Sequence, residues 1–166
     1  MHDAAPSGRA RFLIQLQDGL TSLVLGLGAV ALITGNLRGA TIFLIAAALL
    51  GGLSAGLRRR PALGPVLHTA TLTVCWLAAV LLAGLNGGGL GAPALYVLPV
   101  LPALAAFVLG PRAAVVWALV CAAPPIAFAA LREHVPPSTL PPATREMMQL
   151  LGPLGSTALV TLTGLA

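Results

Sequence analysis

The chain has 166 residues, of which 58% are hydrophobic and only 8% charged, whereas soluble domains carry roughly 25% charged residues. That balance excludes a water-facing globular surface and makes lipid the solvent, with spans of about 20 apolar residues each. The net charge of +5 is carried by nine arginines and no lysine, scattered between apolar runs, which points to membrane orientation and anionic headgroups rather than to nucleic acid.

The opening, residues 1–19, is expected to be a cytoplasmic N-terminal segment. Its Arg9–Gln17 part, with Phe12, Leu13, Ile14 and Leu16, lies at the interface. Ala29-Val30-Ala31 sits inside an apolar run followed by further apolar runs, so that run reads as a retained anchor rather than a cleaved leader. The first span is expected over 20–37, and Asn36-Leu37-Arg38-Gly39 reads as a tight turn. The second span, 40–57, is stopped by Arg58-Arg59-Arg60-Pro61, because arginine is costly in hydrocarbon and proline ends a helix.

The third span covers 66–85. Asn86-Gly87-Gly88-Gly89-Leu90-Gly91-Ala92-Pro93 then forms the long glycine-rich break in the chain. The fourth span, 94–109, is short: at about 1.5 Å per residue it covers about 24 Å of a roughly 30 Å hydrocarbon core. The glycine stretch therefore dips toward the membrane, or the bilayer thins there. The fifth span, 113–131, is expected to be broken by Pro124-Pro125. A polar, proline-rich stretch from Arg132 to Glu146 precedes a sixth span over 147–166.

The fold class is thus all-α, an integral membrane bundle of six transmembrane helices. With the N-terminus inside, cytoplasmic segments hold Arg9, Arg11, Arg58, Arg59, Arg60 and Arg112, against Arg38, Arg132 and Arg145 outside. The positive-inside rule then selects N-in, C-in. The sequence ends at Ala166 within apolar residues, and an output domain is expected beyond it.

No catalytic or metal-binding motif stands out. Gly87, Gly88 and Gly89 leave backbone groups uncovered by side chains, and irregular backbone at membrane depth is tolerated only inside protein or beside a wet cavity. Pro99 and Pro102 lack N–H donors, which is expected to free the carbonyls of Leu95 and Leu98. With Pro93 and the Tyr96 hydroxyl, these groups suit a ligand with a polar head and an apolar body, such as a quinone. The competing reading is a flexible loop and ordinary membrane-helix kinks.

Ala48, Gly52 and Gly56 recur every four residues on the second span, and Gly152 with Ser156 on the sixth. Such spacing lets helices approach closely, either in a homodimer or within one bundle. His68 is an interfacial histidine or a titrating switch. Asp18 is placed at the start of the first span, in a helix-start or headgroup role rather than as a proton relay. Glu133, His134 and Glu146 fall in a solvated loop that matches no metal spacing. Cys75 and Cys121 read as inert packing thiols. With no acidic residue in the middle of a span, an ion-coupled transporter is disfavoured.

The order Gly88-Gly89-Leu90-Gly91-Ala92-Pro93, the apolar run through Pro99, then Leu109-Gly110-Pro111-Arg112-Ala113-Ala114 resembles the multi-span membrane input domain of bacterial sensor histidine kinases. Within that family it is similar to the redox- and quinone-responsive branch at Gly88, Gly89 and Pro93, with Ala92 and Ala94 where that branch has Asn and Phe. The resemblance implies a signal-input module in the bacterial inner membrane. It also implies a homodimer, a cytoplasmic kinase output domain, a response regulator as partner, and a quinone as candidate ligand. A small transporter or channel, and a passive membrane anchor and dimerisation module, are the alternatives.

Overall fold

A computed structural model describes residues 8–86 and 88–135. Regular structure among them is helical: α1 (Gly8–Ile33), α2 (Leu37–Arg59), α3 (Gly64–Leu85), α4 (Val100–Leu109) and α5 (Pro111–Ala130), with short 3₁₀ segments at Pro61–Leu63, Gly89–Gly91 and Pro93–Val97. Four helical stretches are long and apolar enough to cross a membrane, namely Arg11–Ile33, Leu37–Arg59, Pro61–Leu85 and Pro111–Ala130. Pro93–Leu109 is apolar but shorter. The expected sixth span, 147–166, lies outside the described residues. The chain divides into two units, one ending at Thr71 and the other beginning at Leu72, within α3.

In the first unit α1 and α2 form an antiparallel hairpin. The turn between them falls at Thr34–Asn36, ahead of the expected Asn36–Gly39. Gly35 takes a positive φ of 74°, which an L side chain adopts only with strain. The Gly35 N–H bonds the Leu32 carbonyl at 3.0 Å and the Asn36 N–H bonds Ala31 at 2.9 Å, closing α1 in a Schellman motif. The Asn36 side chain then accepts from Gly39 N–H at 3.0 Å and caps α2. The two expected turn residues therefore divide their work: Asn36 caps, and Gly39 belongs to the helix.

α1 begins at Gly8, well ahead of the expected span start at residue 20, because Arg9–Gly19 holds no proline and no turn residue strong enough to stop a helix. Gly28 lets the hairpin close. A Cβ there would come within 3.2 Å of Phe43 Cβ, and one at Gly51 would meet Thr21 at 3.8 Å. α2 buries Ala40, Ala46, Ala47, Leu50, Ser54 and Leu57, a stripe at helical spacing.

In the second unit α4 and α5 are joined at Gly110, whose φ of 102° again needs glycine. Its N–H bonds the carbonyls of Ala105 and Ala106 at 3.0 and 3.1 Å. Pro111 follows at the first helical position of α5, where its missing donor costs no helical bond. Leu101 and Ala105 of α4 are almost wholly buried. α5 runs unbroken through Pro124 and Pro125, in contrast to the expected break, and a neighbouring side chain accounts for part of this.

Candidate functional site

Proline at 124 removes the donor that would bond the carbonyl of Val120, four residues earlier. That acceptor is met from α3: the indole Nε1–H of Trp76 donates to Val120 O at 3.3 Å. A membrane helix tolerates proline where a neighbour re-satisfies the freed backbone, and Trp76 is that neighbour here. One turn-set further along, Gly84 of α3 faces the ring of Phe128, whose atoms lie 3.9 Å from where a Cβ would stand. α3 and α5 thus run in the same direction with a constant offset. Trp117, Cys121 and Pro124 are the buried residues of α5.

The glycine-rich segment lies against α5. α3 ends at Leu85, and Asn86 is buried. Gly87 lies outside the described residues. Gly88 and Gly89 have φ of 92° and 47°, so both positions favour glycine on conformational grounds. Gly89 is also enclosed: a Cβ would approach Val135 Cγ1 at 3.3 Å. The 3₁₀ turn Gly89–Gly91 touches α5, and a second 3₁₀ segment from Pro93 to Val97 leads into α4. Ala92, Leu95 and Leu98 point inward, Pro93 and Tyr96 are half-buried, and Pro99 is exposed.

Here the structure departs from the sequence reading. The carbonyls of Leu95 and Leu98 are engaged: Leu98 N–H bonds Leu95 O at 3.0 Å, and Leu101 N–H bonds Leu98 O at 3.3 Å. Pro99 is the N-cap residue of α4 and Pro102 lies in its first turn, where a proline displaces no intrahelical bond. The 3₁₀ pattern, with bonds to the third residue back, takes up the acceptors that an α-helix would have left open. Gly88, Gly89, Pro93, Tyr96, Pro99 and Pro102 remain one continuous segment, with Tyr96 as its side-chain hydroxyl.

The first unit holds a polar arrangement that the sequence reading missed. Asp18 lies inside α1, within the apolar stretch Arg11–Ile33, and not at a helix start. Its Oδ1 accepts from Ser54 Oγ at 2.5 Å, and its Oδ2 pairs with Arg58 Nη2. One residue earlier Gln17, 5% exposed, reaches the Leu50 carbonyl with Nε2 at 3.4 Å. The Thr71 hydroxyl, in the N-terminal half of α3, stands 3.0 Å from Gln17 Oε1 and 3.0 Å from the Leu67 carbonyl. Two adjacent residues of α1 thereby tie α1 to α2 three times and to α3 once. The available signal was spacing: Leu50, Ser54 and Arg58 fall four apart, as do Gln17 and Thr21, so each set shares a helix face.

Of the small-residue stripe, Ala48 and Gly52 are exposed, and nothing stands within 4 Å of a Cβ at Gly52. Gly56 faces the Leu67 side chain, 3.6 Å from its Cβ position. The close helix approach in the first unit is instead at Gly28. Gly152 and Ser156 lie outside the described residues, as does Glu146. His68 is half-buried in α3, and Glu133 and His134 are exposed after α5. Cys75 and Cys121 are unpaired thiols, and among the described residues no three His, Cys, Asp or Glu side chains gather as metal ligands. No protein-family model, no curated protein and no solved structure matches this chain.

Proposed function

We propose that this chain is the membrane-embedded signal-input module of a bacterial two-component sensor, seated N-in and C-in in the cytoplasmic membrane. It would act as a homodimer on a cytoplasmic histidine kinase output domain and, through it, on a response regulator. The observation that carries this reading is the glycine-hinged 3₁₀ segment from Gly89 to Val97 against α5. α5 lacks two backbone donors at Pro124 and Pro125 and leans on Trp76 for one of the acceptors they leave.

A ligand entering beside such a segment displaces short-range contacts rather than a full helical ladder. In this reading the ligand is a small apolar molecule with a polar head, of the quinone class, and the half-buried Tyr96 offers it a hydroxyl. To signal, it must bind two arrangements of α4 and α5 with different affinity. The test is deletion of Gly87–Gly89 in the complete gene product, with phosphorylation of the response regulator followed as quinone redox state is varied. Loss of the response, with the protein still in the membrane, supports the reading. Unchanged output under every stimulus overturns it.

A second reading, a small transporter, is favoured by one observation: an acidic side chain lies inside an apolar helix and is paired there with arginine. Intramembrane carboxylates mark proton and ion pathways. Substrate or proton flux through liposomes containing the purified chain, abolished by Asp18→Asn, would establish it over the sensor.

A further inference from the structure

α2 ends on three consecutive arginines, Arg58, Arg59 and Arg60. Arg58 and Arg59 leave the last turn roughly 100° apart, while Arg60, the C-cap, has left the helical conformation with φ -137°. Arg58 pairs with Asp18, yet its side chain is still 58% exposed, which leaves surface for a second partner. Arg59 and Arg60 are exposed. Arg60 closes the helix, its N–H bonding Gly56 O at 2.8 Å, and Pro61 bars continuation. The register that sets Asp18 against Ser54 brings Arg11, also exposed, to the same end of the hairpin. Because α1 and α2 are both long and apolar enough to cross a membrane, this end stands at headgroup level. The C-terminus of a helix is the negative end of its dipole and repels anions, so any anion held here is held by the guanidinium forks, which match phosphate oxygens in pairs.

We propose that Arg58, Arg59 and Arg60 form a binding site for the phosphate of an anionic phospholipid headgroup, in which Arg58 is shared between the lipid and Asp18. Arg59 and Arg60 hold the phosphate, and Asp18 is a built-in competitor for Arg58. When the carboxylate keeps Arg58, α1 is tied to α2 through both Ser54 and Arg58. When the phosphate draws Arg58 away, Asp18 keeps only its Ser54 bond, beside the Gln17 bond to Leu50. The anionic lipid content of the membrane thereby sets how firmly the hairpin is fastened. This depends on the hairpin lying in a bilayer and not on the sensor reading.

The test uses the full chain in nanodiscs of mixed phosphatidylcholine and phosphatidylglycerol, with retained lipid counted by native mass spectrometry. Phosphatidylglycerol is retained preferentially, and Arg59→Gln and Arg60→Gln each lower its retention about fivefold, as expected for one arginine at an anionic surface. Asp18→Asn raises retention, since Arg58 is released to the lipid. Inorganic phosphate leaves retention unchanged; displacement by it would assign the site to a soluble anion and overturn the lipid proposal. Equal retention of the two lipids, or no loss in the Arg59 and Arg60 variants, overturns it as well. If Asp18→Asn does not fold by circular dichroism, Arg58→Gln answers the same question: a loss of phosphatidylglycerol supports sharing of Arg58, and no change refutes it.

Discussion

Trp76 shows how much a single side chain can decide. Its indole N–H meets the carbonyl that Pro124 leaves open, so Trp76→Phe keeps the ring but strands a backbone acceptor. One hydrogen bond of this kind contributes about 1 kcal/mol net, and thermal unfolding in detergent should register a loss of that size. Pro124→Ala restores an N–H able to bond Val120 within α5. The double variant Trp76→Phe/Pro124→Ala should therefore recover most of the loss, whereas additive losses would show that the tryptophan does not serve the proline. Asp18 and Arg58 call for the same kind of cycle. So exposed a pair contributes about 0–1 kcal/mol, and the Ser54 bond to the same carboxylate adds to what the loss of Asp18 costs. Asp18→Ala and Arg58→Ala should each destabilise the chain in detergent micelles more than half as much as the double variant does. Strictly additive effects would mean that the two charges do not meet.

Elements carry the next set of consequences. The α1–α2 hairpin depends on a helix stop and a helix start placed side by side, Gly35 and Asn36. Asn36→Ala removes the acceptor for Gly39 N–H and should cost about 1 kcal/mol, read as a lower unfolding temperature. Gly35→Ala forces a β-carbon into positive φ and should cost about 1–2 kcal/mol. The glycine segment after α3 responds differently at neighbouring positions. Gly88→Ala meets backbone strain, Gly89→Ala meets strain and the Val135 side chain as well, while Gly91 has neither a positive φ nor any atom within 4 Å of a Cβ position. The order of stability should be Gly91→Ala above Gly88→Ala above Gly89→Ala. A different order would show that the 3₁₀ turn is not held as described.

For the molecule as a whole, the proposed N-in orientation rests on the arginine count, and cysteine labelling can check it. With Cys75 and Cys121 replaced, a cysteine substituted at Arg59 should react with a membrane-impermeant maleimide only after the cells are opened. One substituted at Thr34, at the other end of the hairpin, should react in intact cells. The reverse pattern would invert the topology and carry the glycine segment to the cytoplasmic side. The apolar composition also requires that the chain stay dispersed only in detergent or lipid, which size-exclusion chromatography will show.

Composition and apolar run length were enough to read membrane-length helices at α1, α2, α3 and α5 and a short element before Gly110, because hydrocarbon thickness constrains length directly. The breaks at Arg60–Pro61, at the glycine-rich segment and at Gly110–Pro111 were likewise legible, since these residues act on their own backbone, whereas the break expected at Pro124-Pro125 is absent because α5 continues through both. What the residues alone could not decide was where the polar groups inside the helices find partners. Asp18 looked like a helix start until α1 was seen to begin at Gly8 and its register against α2 set the carboxylate beside Ser54 and Arg58. The proline-freed carbonyl of Val120 and the engaged carbonyls of Leu95 and Leu98 follow the same logic. A local sequence states which donors are missing, but only packing and the choice between 3₁₀ and α bonding determine which acceptors are left for something else to bind.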